Sequence, residues 1–289
     1  MPACFQDTLS PPARGREKDC SPLCDLHVHT HFSCDSEATI EAMCRQAITL
    51  GLRQVAFTEH VDFVPADAGY GFFRPAAYLA EVSRCRQLFG DQLTILAGVE
   101  IGEFHRFRSQ ANALLDAHRF DLVIGSLHWV KQGCVTAAPN PQPQPMDRAF
   151  QEYFDELQQM CSVGGFDIVG HLDVVKRNGF DTASQYNVLD HERAIRSILD
   201  AIIQNGIALE INTSTLRRAA NQTSPGQAVM TWYRQMGGRL LTIGSDAHTP
   251  AGLAAGWETA VEMARAAGFT HLTSFSNRTP CALSLDGKW

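Results

Sequence analysis

The sequence predicts an α/β protein whose parallel strands close, or nearly close, into a barrel. Short apolar runs recur at intervals of roughly 30 to 40 residues, the length of one βα unit, and segments of helical period fill the gaps. Seven such units in strict alternation suit a barrel. The alternative, an open doubly wound sheet, lacks its signature, because no glycine fingerprint follows the first strand.

Residues 1–21 are polar and aperiodic, with Pro11-Pro12 and the stretch from Arg14 to Lys18, and are expected to form a flexible tail. They lack the apolar core of a signal peptide. Strands are expected at 22–28, 54–58, 94–99, 121–126, 167–170, 207–211 and 239–243. Helices are expected at 37–50, 75–89, 108–117, 146–163, 189–205, 226–236 and 257–267. Pro75 suits a first helical position, and Gly51, Gly90, Gly206 and Gly237 suit helix exits. Ala137 to Asn140, followed by Pro141, Pro143 and Pro145, reads as an exposed connector. No repeat and no second domain is signalled, so residues 22–289 are read as a single barrel domain.

With 45% hydrophobic and 19% charged residues, the 289-residue chain can build a sizeable core. A formal charge of −7 gives no general attraction to nucleic acid or to an anionic membrane, so an anionic substrate would need local cations. No apolar stretch is long enough to span a bilayer. Nine scattered cysteines without a Cys-x-x-Cys pair argue against a disulfide framework or a zinc ribbon. Reduced thiols in a cytoplasmic protein are expected; Cys34 adjoins the candidate site described next.

The chemistry begins at Asp25-Leu26-His27-Val28-His29-Thr30. Residues at i and i+2 of a strand point to the same side, so His27 and His29 can reach one metal ion. Such a pair also occurs on exposed loops, so it needs partners. Barrel sites gather where strands end. The second strand ends in Glu59-His60, the third in Glu100, and the fourth runs into His128. The fifth ends in His171, and the seventh in Asp246 and His248. Thus six of seven expected strands deliver a histidine or carboxylate at the same end. His31, His105, His118, His191 and His271 are read as structural, although His31 and His105 adjoin the motifs.

Together with Thr58-Glu59-His60, Gly98-Val99-Glu100, His128, Gly170-His171 and the run Gly244-Ser245-Asp246-Ala247-His248, the first motif resembles the polymerase-and-histidinol-phosphatase (PHP) superfamily. The resemblance implies a distorted (β/α)7 TIM-like barrel. Three stretches resemble its stand-alone histidinol-phosphatase branch: 125–128, 170–177, and Glu210-Ile211-Asn212-Thr213 leading to Arg217. Glu59 departs from the aspartate of many relatives.

What the resemblance implies is a centre of three divalent ions. His27, His29, Glu100 and Asp246 would hold the first, and Glu100 would bridge to a second completed by His128 and His171. Asp35, His60 and His248 would hold the third. Asp35 lies where some relatives carry histidine; its other reading is the N-cap of the helix expected near Glu37, a role Ser36 could fill instead. Mixed imidazole and carboxylate ligands suit zinc, iron or manganese better than calcium or magnesium. Asp246 and His248 are also expected to act in catalysis, on a water activated by a bridged pair of ions. Arg177 and Arg217 are expected to hold the phosphate, unless they are ordinary surface charges, with Lys176 and Arg218 as adjacent rivals. The loop 61–74, with Phe63, Tyr70, Phe72 and Phe73, is expected either to roof the pocket or to pack on the rim.

The implied activity is metal-dependent hydrolysis of L-histidinol phosphate in histidine biosynthesis. The alternatives are a phosphoesterase for nucleotides or other small esters, and a PHP module without catalysis. That last reading expects eroded ligands, whereas every candidate position here holds a competent side chain. A small phosphorylated substrate is expected as partner, with neither nucleic acid nor membrane; oligomeric state is not readable.

Overall fold

Apolar runs become strands only where the barrel can bury them, and the computed structural model shows seven that it does. It describes residues 24–131, 133–135, 146–179 and 186–285. The tail expected at 1–21 and the proline-rich connector at 137–145 lie outside the described residues.

In chain order the elements are β1 (Cys24–Val28), α1 (Ile40–Thr49), β2 (Gln54–Val61), α2 (Pro75–Phe89), β3 (Thr94–Gly102), α3 (Arg108–Ala117) and β4 (Leu122–Ser126). A short hairpin of β5 (Trp129–Val130) and β6 (Gly133–Cys134) precedes α4 (Met146–Val163) and β7 (Ile168–Val169). Then come α5 (Lys176–Gly179), α6 (Glu192–Gln204), β8 (Ala208–Asn212), α7 (Gln227–Gln235), β9 (Leu241–Gly244) and α8 (Trp257–Ala266). The hairpin of β10 (His271–Ser276) and β11 (Thr279–Ser284) ends the fold.

The main sheet runs β1-β2-β3-β4-β7-β8-β9, every pairing parallel. Its edges meet: His29 N–H donates to the Ala247 carbonyl at 2.9 Å, and Asp246 N–H to the His27 carbonyl at 2.8 Å. The two contacts that close the barrel therefore run through candidate site residues. Helices pack outside by apolar spacing. On α6, Ile195, Ile198, Leu199 and Ile202 are buried at i, i+3, i+4 and i+7. Each such side chain contributes about 1.5–3 kcal/mol on burial.

Three details differ from expectation. Helix α1 starts at Ile40 and is capped by Thr39, whose hydroxyl accepts from Ala42 N–H, so neither Asp35 nor Ser36 caps it. The helix expected at 189–205 opens as a 3-10 turn, Val188–His191, capped by Asn187. The third is the β10–β11 hairpin, whose two-residue turn, Asn277-Arg278, has φ of 47° and 63°. That conformation normally calls for glycine. Here Arg278 is held by Asp167 (2.9 Å) and the Gly165 carbonyl (2.8 Å), which locks the turn. The hairpin closes the barrel end where strands begin: Leu241 N–H donates to Thr273, and Ser274 bonds Gln54. Among the described residues no helix is long and apolar enough to cross a membrane.

Candidate metal centre

The strand ends deliver their side chains to one buried point, and Glu100 occupies it. From the end of β3, its Oε2 lies 3.4 Å from His27 Nε2, 3.5 Å from His29 Nε2 and 3.0 Å from His60 Nδ1. Its Oε1 lies 2.9 Å from His171 Nε2 and 3.4 Å from His128 Nε2. Asp246 Oδ1 is 3.4 Å from His29 Nε2. Towards solvent, the exposed Asp35 places Oδ2 2.9 Å from His248 Nε2 and 3.5 Å from His60 Nε2. All nine expected ligands are thus brought together, and His60 spans the set, facing Glu100 with one nitrogen and Asp35 with the other.

Their donor atoms fit divalent metal ions. His27 Nε2, His29 Nε2, His60 Nδ1 and Glu100 Oε2 are buried without a hydrogen-bond partner among the described residues. Each such group costs about 1–3 kcal/mol unless something satisfies it, so four orphans facing one another need a common partner. Groups of three donors lie within 4.8 Å of one another in four combinations: His29–His60–His248, His27–His29–Asp246, His27–Glu100–His171 and His60–Glu100–His128. Burial, then the neighbouring His60 and His248, pull the His29 pKa down to about 3, which leaves its nitrogen free to coordinate. Burial opposes the charge on Asp246, but His29, His27 and His248 outweigh it and hold the carboxyl well below its usual range.

Sequence reasoning missed the residues that aim this set. Glu210, at the middle of β8, places Oε1 2.7 Å from His27 Nδ1 and accepts from the His171 N–H through Oε2 at 2.7 Å. It therefore fixes the His27 tautomer with Nε2 facing Glu100. Gly244 makes room for the pair, since a Cβ there would collide with both Glu210 and His27. Replacing Glu210 with alanine should cost about 10–100-fold in metal affinity, read as metal retained through dialysis, with the barrel still folded. Unchanged retention would make Glu210 a packing residue. Buried Asp25 accepts from Ser245 N–H (2.8 Å) and Ala254 N–H (2.9 Å), which seats the turn carrying Asp246. Glu59 points the other way from His60, as strand alternation requires. It takes Thr30 N–H (2.9 Å) and Ser33 Oγ (2.6 Å), and so shapes the turn after His29. The histidines read as structural stay outside the set: His105 pairs with Glu156, and His191 is buried against Phe150, Phe154 and Tyr186.

Over the donors opens a cavity of about 790 Å³. Arg177 lines it with Nη2 3.3 Å from Ser214 Oγ and 3.8 Å from Asp246 Oδ2, while its buried Nε has no partner among the described residues. Arg217 reaches it from the rim, donating to the Ser245 carbonyl at 2.8 Å, and Arg218 also lines it. Lys176 does not: it is 1% exposed and bonded to Asp173. Nor do the loop aromatics roof the cavity. Phe63 packs on Phe107, Phe73 packs on Tyr78, and Tyr70 faces solvent. The loop contributes Asp62, Asp67 and Ala68 instead, and the aromatic lining is Trp129 from β5. Cys34 lines the mouth, with its thiol pushed up by burial and by Asp35.

The comparisons agree with this geometry. The PHP domain pattern matches residues 25–214. The chain is 30% identical over 257 residues to a histidinol-phosphatase of Lactococcus lactis subsp. lactis, covering 87% of this chain and 94% of that protein. It is 28% identical over 249 residues to a probable histidinol-phosphatase of Clostridium acetobutylicum, covering 83% and 92%. Among solved structures, the Lactococcus lactis histidinol phosphate phosphatase complexed with zinc, L-histidinol and phosphate superposes with a TM-score of 0.82 at 27% identity, covering 90% of this chain and 99% of that one. The match in sequence, in barrel and in its extent along both chains leads to one conclusion: this chain belongs to the PHP family, in its histidinol-phosphatase branch.

Proposed function

We propose that the cavity is the active site of a metal-dependent phosphomonoesterase that hydrolyses L-histidinol phosphate to L-histidinol and phosphate, carried by a single barrel domain over residues 22–289. The observation that carries the reading is the convergence of three buried imidazole nitrogens, of His27, His29 and His60, on Glu100 Oε2, none of the four atoms having a hydrogen-bond partner among the described residues, directly beneath a cavity that Arg177 and Arg217 also line. The bound L-histidinol and phosphate of the Lactococcus lactis relative support the choice of ester.

Three ions, of zinc, iron or manganese, are assigned to the donors. His27, His29, Glu100 and Asp246 would hold one; Glu100, His128 and His171 would hold a second; Asp35, His60 and His248 would hold the third. Such ions supply Lewis acidity towards phosphoryl oxygens and lower the pKa of water. Everything else falls to the protein. Arg177, with its unpartnered Nε, and Arg217 grip the phosphoryl oxygens as planar forks. They offset the charge that develops there in the transition state. Asp246 and His248 are the residues assigned to catalysis: Asp246 keeps its negative charge, with its two oxygens facing His29 and Arg177, and would hold an attacking water in place by accepting its hydrogen bond. His248 stands beside it at the solvent edge, with Nδ1 3.1 Å from the Asp246 carbonyl.

The test is phosphate release from L-histidinol phosphate with added manganese or zinc, beside a panel of nucleotides and neutral phosphomonoesters. Histidinol phosphate should be preferred, and chelation should stop turnover until metal is restored. Release from a nucleotide but not from histidinol phosphate would overturn the reading. Arg177→Ala should raise KM by about tenfold or more while the melting temperature stays put, as expected for loss of a charge-assisted hydrogen bond to substrate. An unchanged KM would return Arg177 to the role of a surface charge.

A further inference from the structure

The cavity carries opposite charges on its two sides. Around the ring of seven strands, β2 stands three places from both β7 and β8, and the segments that follow those two strands carry Arg177 and Arg217. The loop after β2 supplies Asp62 and Asp67, and Trp129 leans against it. If the arginines take the phosphoryl end, as proposed above, the alcohol end is left to face this acidic wall.

We propose that Asp67 and Trp129 form a specificity-determining subsite that selects a leaving alcohol bearing a cationic nitrogen and a planar ring. The inference rests on the phosphomonoesterase reading above and adds to it the residues that choose the alcohol.

The wall is built rather than incidental. Trp129 Nε1–H donates to Asp67 Oδ2 at 2.5 Å, and Asp67 Oδ1 accepts from Gly69 N–H at 2.7 Å. Both oxygens are thereby positioned, and each retains a lone pair for a further donor. The backbone that carries the indole is fixed as well. Buried Glu103 accepts from both His128 N–H and Trp129 N–H at 2.7 Å, so the main chain of Trp129 is anchored together with that of His128. Deeper in the same wall, Asp62 is 6% exposed, lines the cavity, and leaves Oδ1 without a hydrogen-bond partner among the described residues. Its nearest ring nitrogen, His128 Nδ1, stands off at 3.7 Å.

A carboxylate lining a cavity loses hydration when substrate enters, so it favours an occupant that returns a charged donor and rejects one that does not. An ammonium or imidazolium returns it, and the indole face adds cation–π attraction for the same group. A second phosphate, as on a nucleotide, would meet repulsion from Asp62 and Asp67. This gives the selectivity a physical source: the acidic wall discriminates by the charge of the alcohol, and the arginines do not.

The test compares the metal-loaded wild type with Asp67→Asn on L-histidinol phosphate and on p-nitrophenyl phosphate, whose leaving group carries no cation. The ratio of their kcat/KM values should fall by about tenfold or more in Asp67→Asn, mainly through KM for histidinol phosphate, with metal content equal. Inhibition by L-histidinol itself should weaken in parallel. Trp129→Phe, which keeps a ring but frees Asp67 from its bond, should lower the same ratio by a smaller factor, and decides the matter if Asp67→Asn does not fold. Equal losses on both esters would overturn the proposal and leave Asp67–Trp129 as a clasp between loops. A wild type that shows no preference for histidinol phosphate would instead overturn the substrate reading itself.

Discussion

Replacing Glu100 with alanine should silence phosphate release from every ester, by at least about 10³-fold, because several kcal/mol of transition-state stabilisation depend on the ions it helps to hold. Its carboxylate sits at the middle of the centre. Its two oxygens face five imidazoles, those of His27, His29, His60, His128 and His171. Removing it takes away the carboxylate that all five imidazoles face, and with it the negative charge that would offset bound cations. Metal content should fall at more than one position, whereas the barrel should survive, since among the described residues the Glu100 carboxylate hydrogen-bonds the side chains of Ser126 and His171 inside the centre, while its backbone stays in the strand ladder. His171→Ala is the milder counterpart. It should empty the position shared with His128 and abolish turnover, but leave His27, His29 and Asp246 able to retain metal. Metal analysis beside turnover and a melting curve separates these outcomes. Full metal content with near-normal turnover in Glu100→Ala would dismantle the grouping.

The fold was legible because its strands are buried on both faces, so each shows as an uninterrupted apolar run, and the helices between them keep their period. Bounds of α2, α3 and α4 agree with the periodicity alone. What escaped were elements too short or too unusual to leave a pattern. Strands β5 and β6 have two residues each, and the β10–β11 turn uses Asn277-Arg278 where glycine would have advertised it. The start of α1 was misplaced because Asp35, Ser36 and Thr39 are all good caps by type, and only the backbone decides that Thr39 is the one used.

Ligands were legible for a different reason. Strand alternation turns a His-x-His spacing into a direction, and a common barrel end turns separate motifs into one place. The residues that aim the ligands carry no such signal. Glu210 is a lone acid in an apolar strand, visible as a partner of His27 only once β8 and β1 lie on either side of β9. Lining residues are harder still. The four aromatics of the 61–74 loop drew attention by type, yet its short acid Asp67 lines the cavity, joined to a tryptophan from another hairpin. Which loop residue turns inward depends on loop geometry that no periodicity encodes.

Lys176→Met should destabilise the protein by about 3–5 kcal/mol, the usual cost of leaving one partner of a buried pair uncompensated. In a domain whose whole stability is of order 5–15 kcal/mol, that lowers the melting temperature by on the order of 10 °C. Lys176 donates to Asp173 Oδ2 at 3.0 Å and to the Thr223 carbonyl at 2.6 Å, and Asp173 also accepts from Ser224 Oγ and Tyr186 Oη. These bonds tie the segment after β7, immediately before Arg177, to the loop after β8 that follows Arg217. Losing them should therefore loosen both arginines, and KM for the phosphate ester should rise even at temperatures where the variant is folded. Pairing Lys176→Met with Asp173→Leu should recover most of the lost stability, because an apolar pair of similar volume carries no desolvated charge. Recovery stays incomplete, since Ser224, Tyr186 and the Thr223 carbonyl lose their partners. It should restore KM only in part, because the new pair packs but does not direct. A single variant with an unchanged melting temperature would mean that water reaches Asp173, and the pair would then be a dispensable bond rather than the strut between the two arginine loops.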